Sequence, residues 1–186
     1  MSVLITSLLL GLGLAASCGL RTFLPLLMMG LAARFHLGGV TLNEHLSWVS
    51  STPSLVALGF ATVAELAADK IPVVDHFLSL VGSFTRPLAA ALAVAAAFQH
   101  SDPGTAALAG IVLGVPTALA VHTVQTGTRL ASTATTAGIA NPFISLLEDV
   151  IAFGAATVAL MTPLIVPVVL LLLLLGFWAL ARRVRR

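Results

Sequence analysis

The sequence predicts an all-α, polytopic transmembrane helix bundle, and three observations predict it. Hydrophobic residues make up 59% of the 186 residues and charged residues 9%. The mean hydropathy of +1.08 is that of an integral membrane protein rather than a water-soluble domain. Pro53, Pro72, Pro87, Pro103, Pro142 and Pro163 each open an apolar run, a position where a missing N–H costs a helix nothing. Finally, the few charges lie inside apolar sequence: Arg21, Glu65, Asp69, Lys70, Asp75, Arg86, Arg129, Glu148 and Asp149. An ionisable side chain there is costly and faces a partner or a wet cavity.

At roughly 20 residues per span, the length admits about six, at 2–35, 53–70, 86–100, 103–130, 141–162 and 164–181. Thr52, Asp102, Asn141 and Thr162 stand before these runs as candidate caps. Residues 1–181 thus form a single transmembrane domain, and 182–186 a basic cytoplasmic tail. The first run would be roughly 50 Å long as one straight helix, and Gly19, Arg21 and Pro25 near its middle predict an interruption. Residues 72–83 amount to about 18 Å of helix, too short to cross, and predict a re-entrant or interfacial half-helix. Thr41-Leu42-Asn43-Glu44 has the capping-box pattern, followed by Leu42, Leu46 and Val49 at helical spacing. That predicts a short interfacial helix, with a plain polar loop as the alternative.

Arg182, Arg183, Arg185 and Arg186 account for the positive balance, leaving five Lys or Arg against seven Asp or Glu in the remainder. The pI therefore carries no indication of nucleic acid. A basic tail after an apolar helix is cytoplasmic by the positive-inside rule and meets anionic lipid there. Counting six spans back puts the N-terminus inside too, with Lys70, Arg86 and Arg129 near cytoplasmic ends. Ala15-Ala16-Ser17-Cys18 has the look of a cleavage site, but no Lys or Arg precedes it and the chain stays apolar from Thr22 to Ala33. A retained first span is expected, a cleaved lipoprotein signal being the alternative. Cys18 is the single cysteine, so no intrachain disulfide forms.

The charges fall into two constellations. Glu65 and Asp69 lie four apart on one helix face, where like charges repel. Lys70 is adjacent, and the Pro72 break lets Asp75 and His76 open the next helix near its positive end. The second constellation runs from Arg129 through Ser132, Thr133, Thr135 and Thr136 to Asn141-Pro142, then Ser145, Glu148 and Asp149. Its small, hydroxyl-rich stretch reads as a loop able to wrap an anion, with the Asn141 cap placing a helix N-terminus beside it. With Arg21, these groups predict a polar cavity near the cytoplasmic half of the membrane, lined by Arg21, Glu65, Asp69, Asp75, Arg129, Asn141, Ser145 and Glu148. Structural ion pairs and helix caps are the competing reading. Nearly balanced charges, four basic against five acidic outside the loops and tail, are tolerable in a bilayer only if paired or hydrated.

Other chemistry has little footing. Asp75-His76, His122 and Glu148-Asp149 lack the dense spacing of a metal site, and no cofactor motif is present. Ser17-Cys18 and Ser132 have no evident base, so no residue is given a catalytic role.

Ala16-Ser17-Cys18-Gly19-Leu20-Arg21-Thr22-Phe23-Leu24-Pro25, the Glu65 to Asp75 segment, and Ser132-Thr133-Ala134-Thr135-Thr136 through Asn141-Pro142 with Ser145 and Glu148 resemble the bacterial membrane family catalogued as domain of unknown function 4126. The resemblance runs over nearly the whole chain. It implies a small polytopic inner-membrane protein and carries no activity to transfer.

The leading functional expectation is a small transporter or lipid-handling protein, because interrupted helices, a half-helix and intramembrane charges are what midplane sites are made from. Arg21, Arg129 and the hydroxyls favour a small anionic solute or lipid headgroup, with proton or cation coupling through the carboxylates. A non-catalytic scaffold or accessory subunit comes second, and a headgroup enzyme third. Membrane lipids are the expected surroundings; the sequence is silent on oligomeric state.

Overall fold

Seven α-helices carry the described chain: α1 Val3–Leu20, α2 Leu24–Arg34, α3 Thr52–Ala68, α4 Pro72–Ala97, α5 Pro103–Ala109, α6 Val115–Thr136 and α7 Asn141–Met161. The structure, a computed structural model, describes residues 3–161, 163–166, 168, 170–172 and 175, with the backbone alone at 72–79 and 164. Short 3-10 helices occupy Leu37–Gly39, Glu44–Ser50 and Pro163–Ile165, and a π-helical stretch Gly110–Gly114 joins α5 to α6. No strand occurs among the described residues. Val3–Leu20, Leu80–Ala97, Pro103–Thr136 and Asn141–Met161 are long and apolar enough to cross a membrane, and Glu44–Ser50 with Thr52–Ala68, bent by 59°, makes a fifth candidate. This is the pattern of a multi-pass membrane protein. The expected span at 164–181 lies largely outside the described residues, as does the tail at 182–186.

The first helix is interrupted where the sequence predicts, α1 ending at Leu20 and α2 beginning at Leu24. Residues 72–83, however, are not a separate half-helix. They form the first turns of α4, which continues through Pro87 to Ala97. An internal proline removes one backbone bond and crowds the preceding turn. Against that, Ala89, Ala90, Ala93, Val94, Ala96 and Ala97 are buried and belong to the same core as Leu10, Leu14, Ala15 and Cys18 of α1. Gly82 and Arg86 before the proline are buried as well, so packing continues across it, and bundles of apolar helices tolerate such a residue more readily than exposed ones.

The core is built from small residues, which let backbones approach closely where no water drives association. The π-helical stretch shows how close: a Cβ on Gly114 would stand 2.7 Å from the carbonyl oxygen of Ala90 in α4. Only glycine fits there.

Between α2 and α3 the short helix is present, as 3-10 helix, with Val49 buried and Trp48 exposed. Its cap is Asn43 rather than Thr41. Asn43, 2% exposed, accepts from the His45 N–H at 3.2 Å and donates to the carbonyls of Phe98 and Ser101 at 2.8 and 3.0 Å. One side chain thus caps one helix and satisfies groups left over at the end of α4. Ser51, not Thr52, caps α3. Asp102 caps α5 by accepting from the Thr105 N–H at 3.0 Å; hydrogen bonds from the side chain and backbone of Thr105 hold its carboxyl below the usual value. Thr162 lies outside the described residues.

Candidate functional site

The break in the first helix, Arg21-Thr22-Phe23, organises the site. Pro25 enters α2 in its first turn, which restrains the residue before it and favours an interruption upstream. A break exposes carbonyls on one side and amides on the other. Here the C-terminal carbonyls of α1 meet α4 and α6: Gly19 O accepts from Arg86 Nη1 at 3.1 Å and Leu20 O from Gln125 Nε2 at 3.4 Å. The amides that lead into α2 meet α3, Thr22 N–H and Phe23 N–H donating to the two oxygens of Glu65 at 2.8 and 3.2 Å. A cation sits at the negative end of one helix and an anion at the positive end of the next, as the helix dipoles require. Gly19 permits this closeness, since a Cβ there would lie 2.7 Å from Ala118 O of α6.

Beside the break lies a network of buried ion pairs. Arg21 is fully buried. Its Nη2 lies 2.6 Å from Asp69 Oδ2 and 3.9 Å from Glu148 Oε2, and donates to Ser145 Oγ and O at 3.0 and 3.1 Å. Its Nε donates to Asp149 Oδ1 at 2.5 Å. Arg129 grips Asp69 through both Nη atoms, at 2.8 and 2.7 Å, and turns Nε towards Glu148 at 3.1 and 3.3 Å, with a further short contact from Nη2. Ser145 Oγ donates to Asp69 Oδ2 at 2.7 Å, and Gln125 Nε2 to Glu148 Oε2 at 2.8 Å. Bidentate, charge-assisted contacts of this kind are the stronger class of hydrogen bond. At its exposed side the network ends at Lys70, whose side chain is 41% exposed and whose Nζ lies 2.9 Å from Asp149 Oδ2.

Of the residues singled out in the sequence, Arg21, Glu65, Asp69, Arg129, Ser145 and Glu148 converge on this region. Asn141 does not join the ion pairs: its Nδ2 donates to Thr133 Oγ1 at 3.0 Å, while its Oδ1 is buried without a partner. Asp75 lies in the first turn of α4, but its side chain is outside what the structure describes. The expected anion-wrapping loop is corrected outright. Helix α6 runs to Thr136, and Thr133, Thr135 and Thr136 donate their hydroxyls to carbonyls four residues back, at 2.9, 2.9 and 2.8 Å. Such back-bonding is the ordinary outlet for a helical threonine. Ser17 behaves similarly as a packing link, donating to Ala152 O at 2.7 Å.

Gln125 and His122 are the residues that the charge reading passed over. His122, Gln125, Arg129 and Ser132 are all buried on α6, and their spacing of three, four and three marks one polar face within an apolar helix. That periodicity was the available signal. Among the described residues no three His, Cys, Asp or Glu side chains form a metal-binding group; Asp69 and Glu148 already receive guanidinium donors.

A family model described as a domain of unknown function (DUF4126) matches residues 8–183, and the chain belongs to that family. No curated protein and no solved structure matches the chain.

Proposed function

We propose that this chain is a small integral membrane transporter or lipid-handling protein, and that the interrupted first helix with its adjoining ion pairs handles an anionic solute or headgroup. One observation carries the reading: a helix broken inside an apolar bundle has both ends met by opposite charges from neighbouring helices. Transport sites near the membrane midplane are built from such half-helix ends. Lys70 gives the network an exposed end, and Asp69 and Glu148 supply carboxylates for proton or cation coupling. Opening the site would mean exchanging internal partners for ligand and water. The inner membrane with both termini cytoplasmic is the setting proposed, on the strength of the basic tail and the positive-inside rule.

A second reading, a membrane scaffold or accessory subunit, is favoured by the internal pairing of the network, in which Arg21 and Arg129 each reach Asp69 and Glu148. Buried pairs of that kind can serve packing alone. Reconstitution in proteoliposomes separates the two. A pH gradient should drive phosphate or short-chain carboxylate uptake, or lipid redistribution between leaflets, by the wild type, and Arg21→Ala or Glu148→Gln should abolish it in protein that still inserts and folds. Wild-type vesicles showing none of these movements, with the variants losing only stability, would support the scaffold.

A further inference from the structure

Arg86 differs from the other buried arginines. Arg21 and Arg129 each contact at least two carboxylates, whereas Arg86, only 4% exposed, has no carboxylate within 4.0 Å among the described residues. Every hydrogen bond it makes there comes from Nη1: to Gly19 O at 3.1 Å, to His122 Nδ1 at 2.6 Å and, shorter still, to Gln125 Oε1. Nε is buried without a partner. Since guanidinium only donates, His122 accepts at Nδ1 and its ring proton sits on Nε2, 3.3 Å from Ser83 Oγ. The contacts of Arg86 are therefore to neutral groups, and no carboxylate lies within ion-pair distance of it among the described residues.

The unused nitrogens, Nε and Nη2, share one edge of the planar guanidinium, where two parallel N–H bonds match the spacing of two oxygens on a carboxylate or phosphate. Gly82, one turn earlier, borders that edge: a Cβ there would press on it, 3.1 Å from Nε and 3.4 Å from Cζ. We propose that the Nε and Nη2 edge of Arg86 binds an oxyanion, a carboxylate or phosphate group, in bidentate fashion. Gln125 couples the two halves of the site, accepting from Arg86 while donating to Glu148 at 2.8 Å. Ligand at Arg86 thereby acts on the ion pairs through one shared side chain. The proposal rests on the reading of the chain as one that handles an anionic ligand, and it names the chemical group recognised.

Full-length protein in phosphatidylcholine-containing micelles tests it with two kinds of probe. Equilibrium binding of radiolabelled inorganic phosphate, with competition by acetate, reports a soluble oxyanion; native mass spectrometry of retained phosphatidylglycerol reports a lipid phosphate. Arg86→Lys keeps the charge and loses the fork, and should weaken whichever probe binds by about tenfold or more. Gly82→Val crowds the same edge without touching the charge and should do likewise, so it decides the matter if Arg86→Lys fails to fold. Arg34→Ala, on an exposed hydrogen bond far along α2, should leave binding unchanged. Failure of both probes to bind the wild type, or equal binding by wild type and the folded variants, overturns the site. Arg86-dependent binding without any flux would remove the transport reading and leave the site standing; flux without such binding would do the reverse.

Discussion

Two regions hold α1 in place by opposite means. Along most of its length α1 meets α4 in one core of small apolar side chains, to which Ala15 and Cys18 contribute from α1 and Ala90, Ala93 and Val94 from α4. At its C-terminal end, Gly19 and Leu20 meet Arg86 of α4 and Gln125 of α6, and Arg21 just beyond meets Asp69 at the end of α3 and Ser145 of α7. The apolar contact works by shape, and its energy comes from dispersion between closely spaced backbones. The charged contact depends on every partner being present, because a cation or anion left alone in low dielectric costs more than the pair returns. The first kind of contact is a permanent joint; the second can open when a proton, an ion or a ligand substitutes for one partner.

The largest expected effect breaks the charged region. Asp69→Ala removes the carboxylate that Arg21 and Arg129 both contact within 2.8 Å, and should destabilise the protein by about 3–5 kcal/mol, read as a fall in thermal midpoint in detergent. Adding Arg129→Met to that variant should recover part of the loss, since it removes the positive charge that the network then carries in excess. In the apolar region Gly114→Val forces a side chain against the Ala90 backbone and should cost about 1–3 kcal/mol, insensitive to pH and salt. The smallest effect lies outside both regions. Asp102→Ala removes the α5 cap and should lower the midpoint slightly at neutral pH. Because the folded carboxyl is held below its usual value, its contribution is present above that value and is lost as pH falls below 3.8; the variant and wild type should converge there.

The charged half of this comparison was legible in the sequence to the extent that charge itself is. Arg21, Glu65, Asp69, Arg129 and Glu148 stand out in apolar sequence, and their near balance implies pairing before any coordinates. Gln125 and His122 carry no charge, so only the period of the α6 face reveals them. The break at Arg21 was readable because glycine, arginine and proline coincide there, whereas Pro87 signalled a helix start that tertiary packing overrides: Gly82 and Arg86 are buried before it and the alanine face after it. The hydroxyl-rich stretch misled for a related reason. Ser and Thr favour loops when water or ligands compete for the backbone, yet in an apolar helix their own carbonyls are the available acceptors.

Cys18 offers the most direct measurement of whether the charged region opens. It is the chain's single cysteine, fully buried, three residues before Arg21 on the last turn of α1. In proteoliposomes with the external pH fixed, its rate of modification by a membrane-impermeant maleimide can be followed while the internal pH is varied. A site that opens predicts modification about tenfold faster under the gradient, the response to a population shift of ~1.4 kcal/mol, with Glu148→Gln abolishing the acceleration. A rate that ignores the gradient and matches global unfolding would contradict the account and leave the network as a lock on helix packing.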